Sequence, residues 1–417
     1  MARWDAEEAT RRVLERCETL GALSETPNNL TRTFLSRPMH NVQSLLLEWM
    51  REAGLSAHLD AVGNVRGRLE GAGSGNPGSG IFVVGSHVDT VPDAGKFDGI
   101  LGVLLGIEIA RAASETEIHH SLEVIAFSEE EGVRFGFPFI GSSATCGSFD
   151  PAWLARIDAN GITLEESLRN FGLNPLEIPN AKLDLAALLG YFEIHIEQGP
   201  ILENLDSPLG VVTGLVGQSR LTLEFGGRAA HAGTTPMNLR RDALTGAAEF
   251  VLEVEKLARA TEGLNATVGR LETLPGAGNV IPGAVKLSLD VRHASDVVRL
   301  LSTNKLLELA RGLAELRGLK CSITQNLEQS AVPCDPALTS RLVGAVLHGG
   351  LSVQRLNSGA GHDTMIFAPH CPVSMLFVRS PGGISHNPLE TVLESDVEDA
   401  LEVGCTFVLD VLGDHSA

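Results

Sequence analysis

Two short runs of the sequence pair histidine with carboxylates at spacings that suit metal ions. In GSHVDTVPDAGKFDG, His87 and Asp89 lie two residues apart at the end of an apolar run. On an extended strand that spacing turns both side chains to one face. Asp89 can then receive the second ring nitrogen of a metal-ligating His87 and fix its tautomer. Nine residues further on, Asp98 sits between Phe97 and Gly99 in a loop that opens a helix, where its two oxygens could bridge two cations. Taken alone, the same residues are a core histidine and a turn aspartate.

The second run, AFSEEEGVRF, delivers Glu129, Glu130 and Glu131 to the end of an apolar strand. Three acids in one place are costly unless cations compensate them. The apolar text on both sides puts them at the rim of a buried site rather than in a solvated loop. Two further histidines complete the set. His195 lies mid-strand in FEIHIEQGP, with Glu193 and Glu197 on its own face, and His386 lies in the polar loop GGISHNPLE. Each alone reads as an ordinary core or loop residue. Together, His87, Asp98, one Glu, His195 and His386 suit a co-catalytic pair of ions such as zinc or manganese.

The elements that must position these residues alternate. IFVVGSH (81–87), SLEVIAFS (121–128), YFEIHIE (191–197) and PVSMLFV (372–378) read as apolar strands, and GILGVLLGIEIARAA (99–113) as a buried helix. Continuous apolar strands between helices predict an α/β fold with a mainly parallel sheet covered on both faces, its ligands at the carboxyl ends of strands. Between 214 and 330 the order becomes β-α-β-β-α-β: SRLTLEF, LRRDALTGAAEFVLEVEKLA, NATVGRLETL, AVKLSLDVR, DVVRLLSTNKLLELARGLAEL and KCSITQNL. That is the ferredoxin-like split unit, an α+β insertion within a catalytic domain formed by 1–213 and 331–417. The start, MARWDAEEATRRVLERCETL, reads as an amphipathic helix. The run GAGSGNPGSG (71–80) contains G-x-G-x-x-G at Gly73, Gly75 and Gly78, yet a strand follows it and Pro77 interrupts it. A dinucleotide cradle needs a helix there, so a surface loop is the better reading.

Composition bounds the function. The 417 residues suffice for two domains, and a formal charge of −20 argues against binding a phosphate backbone. No run approaches the length of a membrane span and no secretory leader is visible, which makes the cytoplasm the default address. The six cysteines form no C-x-x-C pair and read as reduced core thiols.

The ordered motifs H-x-D, F-D-G, E-E-E-G-x-R-F, H-I-E-Q-G, H-A-G-T-T-P-M, N-V-I-P-G and I-S-H-N-P run from about residue 40 to the end. In this order they resemble the hydantoinase/carbamoylase branch of the M20 metallopeptidase-like amidohydrolases. The resemblance implies hydrolysis of the carbamoyl or ureido C–N bond of a small anionic substrate, with two divalent cations per subunit (zinc or manganese, or else cobalt or nickel). It assigns His87 and His195 to one ion and Glu131 and His386 to the other, with Asp98 bridging, Asp89 orienting His87 and Glu130 as the base. Spacing alone leaves a Glu129/Glu130 assignment equally open. His231, in RAAHAGTTPM of the inserted unit, resembles an oxyanion-stabilising histidine supplied by the partner subunit, which makes the insertion a lid and dimerisation domain. One face of its sheet would be left wanting a partner. Arg292, in N-V-x-P-G-x₈-R, and Asn279 match substrate-holding positions, and Arg292 offers a planar two-point contact to a carboxylate. Gln218, Arg220, Gln198 and His362 are further polar candidates. Ser143 departs from the branch, which often has Arg in G-S-R-A.

The resemblance favours an N-carbamoyl-L-amino acid as substrate, with allantoate or ureidoglycolate as alternatives. An aminoacylase or dipeptidase with the same metal core is the rival among enzymes. A binding protein that keeps the fold without catalysis has no support, since every ligand and the base are present.

Overall fold

A computed structural model describes residues 4–76 and 78–413; Pro77 of the glycine-rich run and the first three residues of the expected leading helix lie outside them. The chain divides into two compact units, one of 1–213, 334–356 and 361–417, the other of 214–333 and 357–360.

The first unit is built on a mixed sheet. Its strands run in the order Ser56–Leu59, Val65–Leu69, Ser121–Phe127, Ile81–His87, Leu188–Ile196, Val373–Val378, Leu209–Leu215. The four central strands pair in parallel. The outer strands join antiparallel. The central four are the apolar runs of the sequence, buried on both faces as parallel strands are. The outer strand Leu209–Leu215 was not expected, because glycines interrupt its apolar pattern.

The two faces of this sheet are covered differently. Phe82, Val84, Phe192, Ile194 and Ile196 belong to a large core shared with the helices Ala6–Gly21, Ile100–Ser114, Pro336–His348 and Glu394–Leu412. Ile81, Val83, Ile125, Phe127 and Tyr191 belong to a second, smaller core with Phe367 and Leu183. Short helices and loops cover that side instead of the long helices expected on both. By strand alternation His87, Glu193 and His195 share the face of Val83 and Tyr191. Long helices laid over that face would bury the histidines under backbone that has no use for their lone pairs.

The helix after Asp98, Ile100–Ser114, is mostly apolar and buried on nearly every residue. It starts where the F-D-G motif ends. Gly99 has φ +69°, and a Cβ there would overlap the His87 ring, so only glycine serves at this turn.

The second unit contains an antiparallel sheet in the order Leu271–Leu274, Ala284–His293, Gly217–Gly226, Lys320–Gln329. The helices Ala243–Ala260 and Asp296–Leu316 pack on this sheet and on each other. Leu221, Leu223, Phe225, Val285, Leu287, Leu289 and Val291 fill the core beneath them. The alternate residues, among them Gln218, Arg220, Thr222, Glu224, Lys286 and Asp290, make the opposite face polar. The segment NATVGRLETL is two short strands, Asn265–Thr267 and Leu271–Leu274, both paired with Ala284–His293.

Candidate metal centre

His87 ends its strand wholly buried, and its Nδ1 lies 3.1 Å from the backbone oxygen of Asp89. His195, buried in the neighbouring strand, points its Nδ1 at the Ile196 oxygen, 2.9 Å away. A carbonyl can only accept, so each Nδ1 carries the proton and each Nε2 is left bare. Those two Nε2 atoms stand 3.3 Å apart. Asp98 Oδ1 lies 3.2 Å from the first and 3.3 Å from the second, and it is buried without a hydrogen-bond donor. Three acceptors converging on one dry point repel one another. Each unpaired one costs on the order of 1–3 kcal/mol. A cation at that point turns the cost into bonds, so the donor set fits a divalent metal.

The other oxygen of Asp98 faces a second group. Oδ2 accepts from Gln198 Nε2 (2.7 Å) and Ser385 Oγ (2.7 Å) and lies 3.4 Å from His386 Nε2. That same His386 nitrogen is 3.6 Å from Glu131 Oε1. Asp98, Glu131 and His386 therefore form one metal-capable trio, and His87, Asp98 and His195 another. A third trio joins His87 to Glu130 and Glu131, whereas Glu129 belongs to none of the three. His386 holds a left-handed φ of +54° on a loop, its side chain about half exposed.

Asp89 meets His87 in two ways. Its backbone oxygen is what meets His87 Nδ1, and its carboxylate stands 3.5 Å from that nitrogen. The two carboxylate oxygens accept the backbone amides of Glu130 (2.9 Å) and Glu131 (3.1 Å). Asp89 thus pins the acidic turn against the histidine strand.

Electrostatics without a cation are strained in the expected direction. Burial, with Asp98 and Asp89 nearby, pushes the Glu131 carboxyl up to about 7. Burial lifts Glu130 well above the carboxylate range, despite the opposing pull of His87. Asp98 is held well below that range, since the three histidines outweigh its burial.

The remaining candidates are placed as follows. His362 is buried beside His195, ring centroids 4.5 Å apart, and burial together with His195 holds its pKa well below the usual histidine range. Gln198, read as a substrate contact, donates to Asp98 Oδ2 (2.7 Å) and lies 3.4 Å from His386 Nε2. Ser143 is buried in the short helix Ile140–Thr145. His231, Asn279, Gln218, Arg220 and Arg292 all lie in the second unit. His231 accepts the Gly233 amide on Nδ1 (3.1 Å), which leaves the proton on an exposed Nε2 free to donate. Its strand pairs Val280 with His231, and the Asn279 oxygen accepts the Ala232 amide, so Asn279 and His231 share one corner. Arg292 lays two nitrogens on the Asp290 carboxylate (2.9 and 3.0 Å) and a third on the Gly359 oxygen (2.7 Å). Arg220 shares Asp290, and Gln218 donates to Gln329. Ser385 escaped the sequence reading, although its place beside His386 was the available signal.

The model of peptidase family M20/M25/M40 matches residues 83–410. An N-carbamoyl-L-amino acid amidohydrolase of Geobacillus stearothermophilus is 38% identical over 94% of this chain and 96% of its own. An allantoate deiminase of Arabidopsis thaliana is 39% identical over 92% of this chain and 78% of its own. Among solved structures, a hydantoinase/carbamoylase family amidase from Burkholderia multivorans superposes with a TM-score of 0.89, at 33% identity over 97% of this chain and 98% of that one.

Proposed function

The chain belongs to peptidase family M20/M25/M40 and is a hydrolase of ureido C–N bonds, and we propose that its substrate is an N-carbamoyl-L-amino acid. The reaction would release the amino acid, ammonia and carbon dioxide. The observation that carries the metal chemistry is the convergence of His87 Nε2, His195 Nε2 and Asp98 Oδ1 within 3.3 Å. His87, Asp98 and His195 would hold one divalent cation, and Asp98, Glu131 and His386 a second. When bound, such ions (zinc or manganese, with cobalt or nickel as further candidates) polarise a carbonyl and make water more acidic.

The chain's own groups supply the rest. Glu130 accepts the proton of the attacking water and passes it to the departing nitrogen. Its burial suits a carboxyl that must hold that proton between the two steps. His231, with its Nε2 proton exposed, donates to the developing oxyanion. In this reading it comes from the partner subunit of a homodimer; the sheet face expected to seek that partner is polar, and the exposed Leu252, Val297 and Leu301 on the two helices of the second unit support the contact instead. Arg292 and Asn279 take the substrate carboxylate, while Gln218, Arg220, Gln198 and His362 offer further polar contacts.

Allantoate is the second reading, favoured by plant deiminases that match as well as the bacterial amidohydrolases do. Ammonia release from N-carbamoyl amino acids, allantoate, ureidoglycolate and N-carbamoyl-β-alanine, with and without chelator, separates the two. Turnover confined to allantoate would overturn the first. No helix among the described residues is long and apolar enough to cross a membrane.

A further inference from the structure

The loop that presents His386 also carries Glu390, a buried acid that neither the metal set nor the proton path uses. Its Oε1 accepts two backbone amides, those of Phe97 (2.9 Å) and Asp98 (3.1 Å). Room for this carboxyl exists because residue 95 is glycine: a Cβ at Gly95 would collide with it. From the same loop, Ser385 Oγ donates to Asp98 Oδ2 (2.7 Å), and His386 Nε2 lies 3.4 Å from that oxygen. One loop therefore grips both the backbone and the side chain of Asp98 while offering a ligand beside it.

We infer that Glu390, seated over Gly95, is a positioning residue that joins the Asp98 and His386 loops into one piece and so sets the second cation position. The inference rests on the two-ion reading above. The two positions differ in what holds them. His87 and His195 stand on central strands whose ladders fix them without help. Asp98 and His386 stand on loops, and the left-handed φ of His386 persists only if its surroundings enforce it. A buried carboxyl oxygen accepting two backbone amides is a strong enough tie to do so. Losing the tie should cost the second ion much more than the first.

The test is calorimetric titration of metal-stripped protein with zinc alone and, separately, with manganese alone. Wild type should take two equivalents. Glu390→Ala should keep the first and weaken the second by about tenfold or more, the scale set by partners that orient ligands. Gly95→Ala removes no side chain of the site and only displaces Glu390, so it guards against a misfolded Glu390→Ala, and it should show the same selective loss. Glu390→Gln keeps the shape and one acceptor and should retain more of the second equivalent than Glu390→Ala. Two wild-type equivalents with unchanged affinities in Glu390→Ala and Gly95→Ala would overturn the inference alone. A wild type that takes fewer than two would overturn the two-ion reading, and this with it.

Discussion

The Nε2 atoms of His87 and His195 stand 3.3 Å apart, and Asp98 Oδ1 closes the triangle at 3.2 and 3.3 Å. Without a cation the site must take up protons to relieve that convergence. Both rings are pushed above the usual histidine range, as Asp89 and Asp98 for His87, and Asp98 for His195, outweigh their burial. Glu131, lifted to about 7, also holds a proton near neutrality. A cation needs all of these groups deprotonated. The sign follows: groups raised toward or above neutrality compete as pH falls, so metal affinity should drop with it. Zinc titrated into stripped protein near pH 7 should release protons, seen as a heat that changes with the ionisation enthalpy of the buffer. A heat independent of the buffer would contradict a site that holds protons in place of the cation.

Glu130 and Glu131 are neighbours with different proposed tasks. Glu130→Gln should keep the metal content and lower turnover by at least about 10²-fold, the scale of general-base catalysis. Glu131→Gln or Asp98→Asn should lower the metal content itself. A fully metallated Glu130→Gln protein with near-normal turnover would remove Glu130 from the role of base.

Arg292 keeps its fork on Asp290 and the Gly359 oxygen, a planar arrangement that lysine cannot copy. Arg292→Lys should therefore raise KM for a carboxylate substrate by roughly 10–100-fold, the equivalent of about 1.5–3 kcal/mol for a charged hydrogen bond. Unchanged KM and kcat in both Arg292→Lys and Arg292→Ala would place the carboxylate clamp elsewhere.

If His231 serves the other subunit, Glu130→Gln and His231→Ala should each be nearly inactive and yet rescue each other. Refolded together in equal amounts, about half of the dimers are mixed, each with one doubly defective site and one intact site. Activity should recover to about a quarter of wild type. A histidine serving its own chain leaves a defect in every site. No recovery, in a mixture shown by mass spectrometry to contain mixed dimers, would reject the shared site.

The central strands and the metal cluster were legible because their signals are strong in type and spacing. Apolar runs ending in H-x-D and E-E-E, and histidines in H-I-E-Q-G and I-S-H-N-P, have few other reasons to coincide. The supporting groups were not legible for a physical reason. Glu390 acts through two backbone amides, and nothing in a sequence shows which amide a carboxylate will meet. Asp89 was read by its nearness to His87, whereas its carboxylate serves amides some 40 residues away in the chain. Gln198 was read as a polar substrate contact, and nothing in the sequence shows that its amide lies on Asp98. Helix Pro336–His348 was readable but missed: Asp335 caps it and Pro336 opens it.

The strand order carries a consequence for synthesis. Leu188–Ile196 lies between Ile81–His87, made long before it, and Val373–Val378, made long after it. The contiguous segment 214–333, which has a core of its own, emerges from the ribosome in between. At about 5–20 residues per second, the apolar edge of Leu188–Ile196 stays open on the nascent chain for on the order of ten seconds or more. An unpaired apolar edge is a template for pairing with another chain. Yield in a cell should therefore depend on chaperones that shield this edge until Val373–Val378, near the end of the polypeptide, arrives to close it.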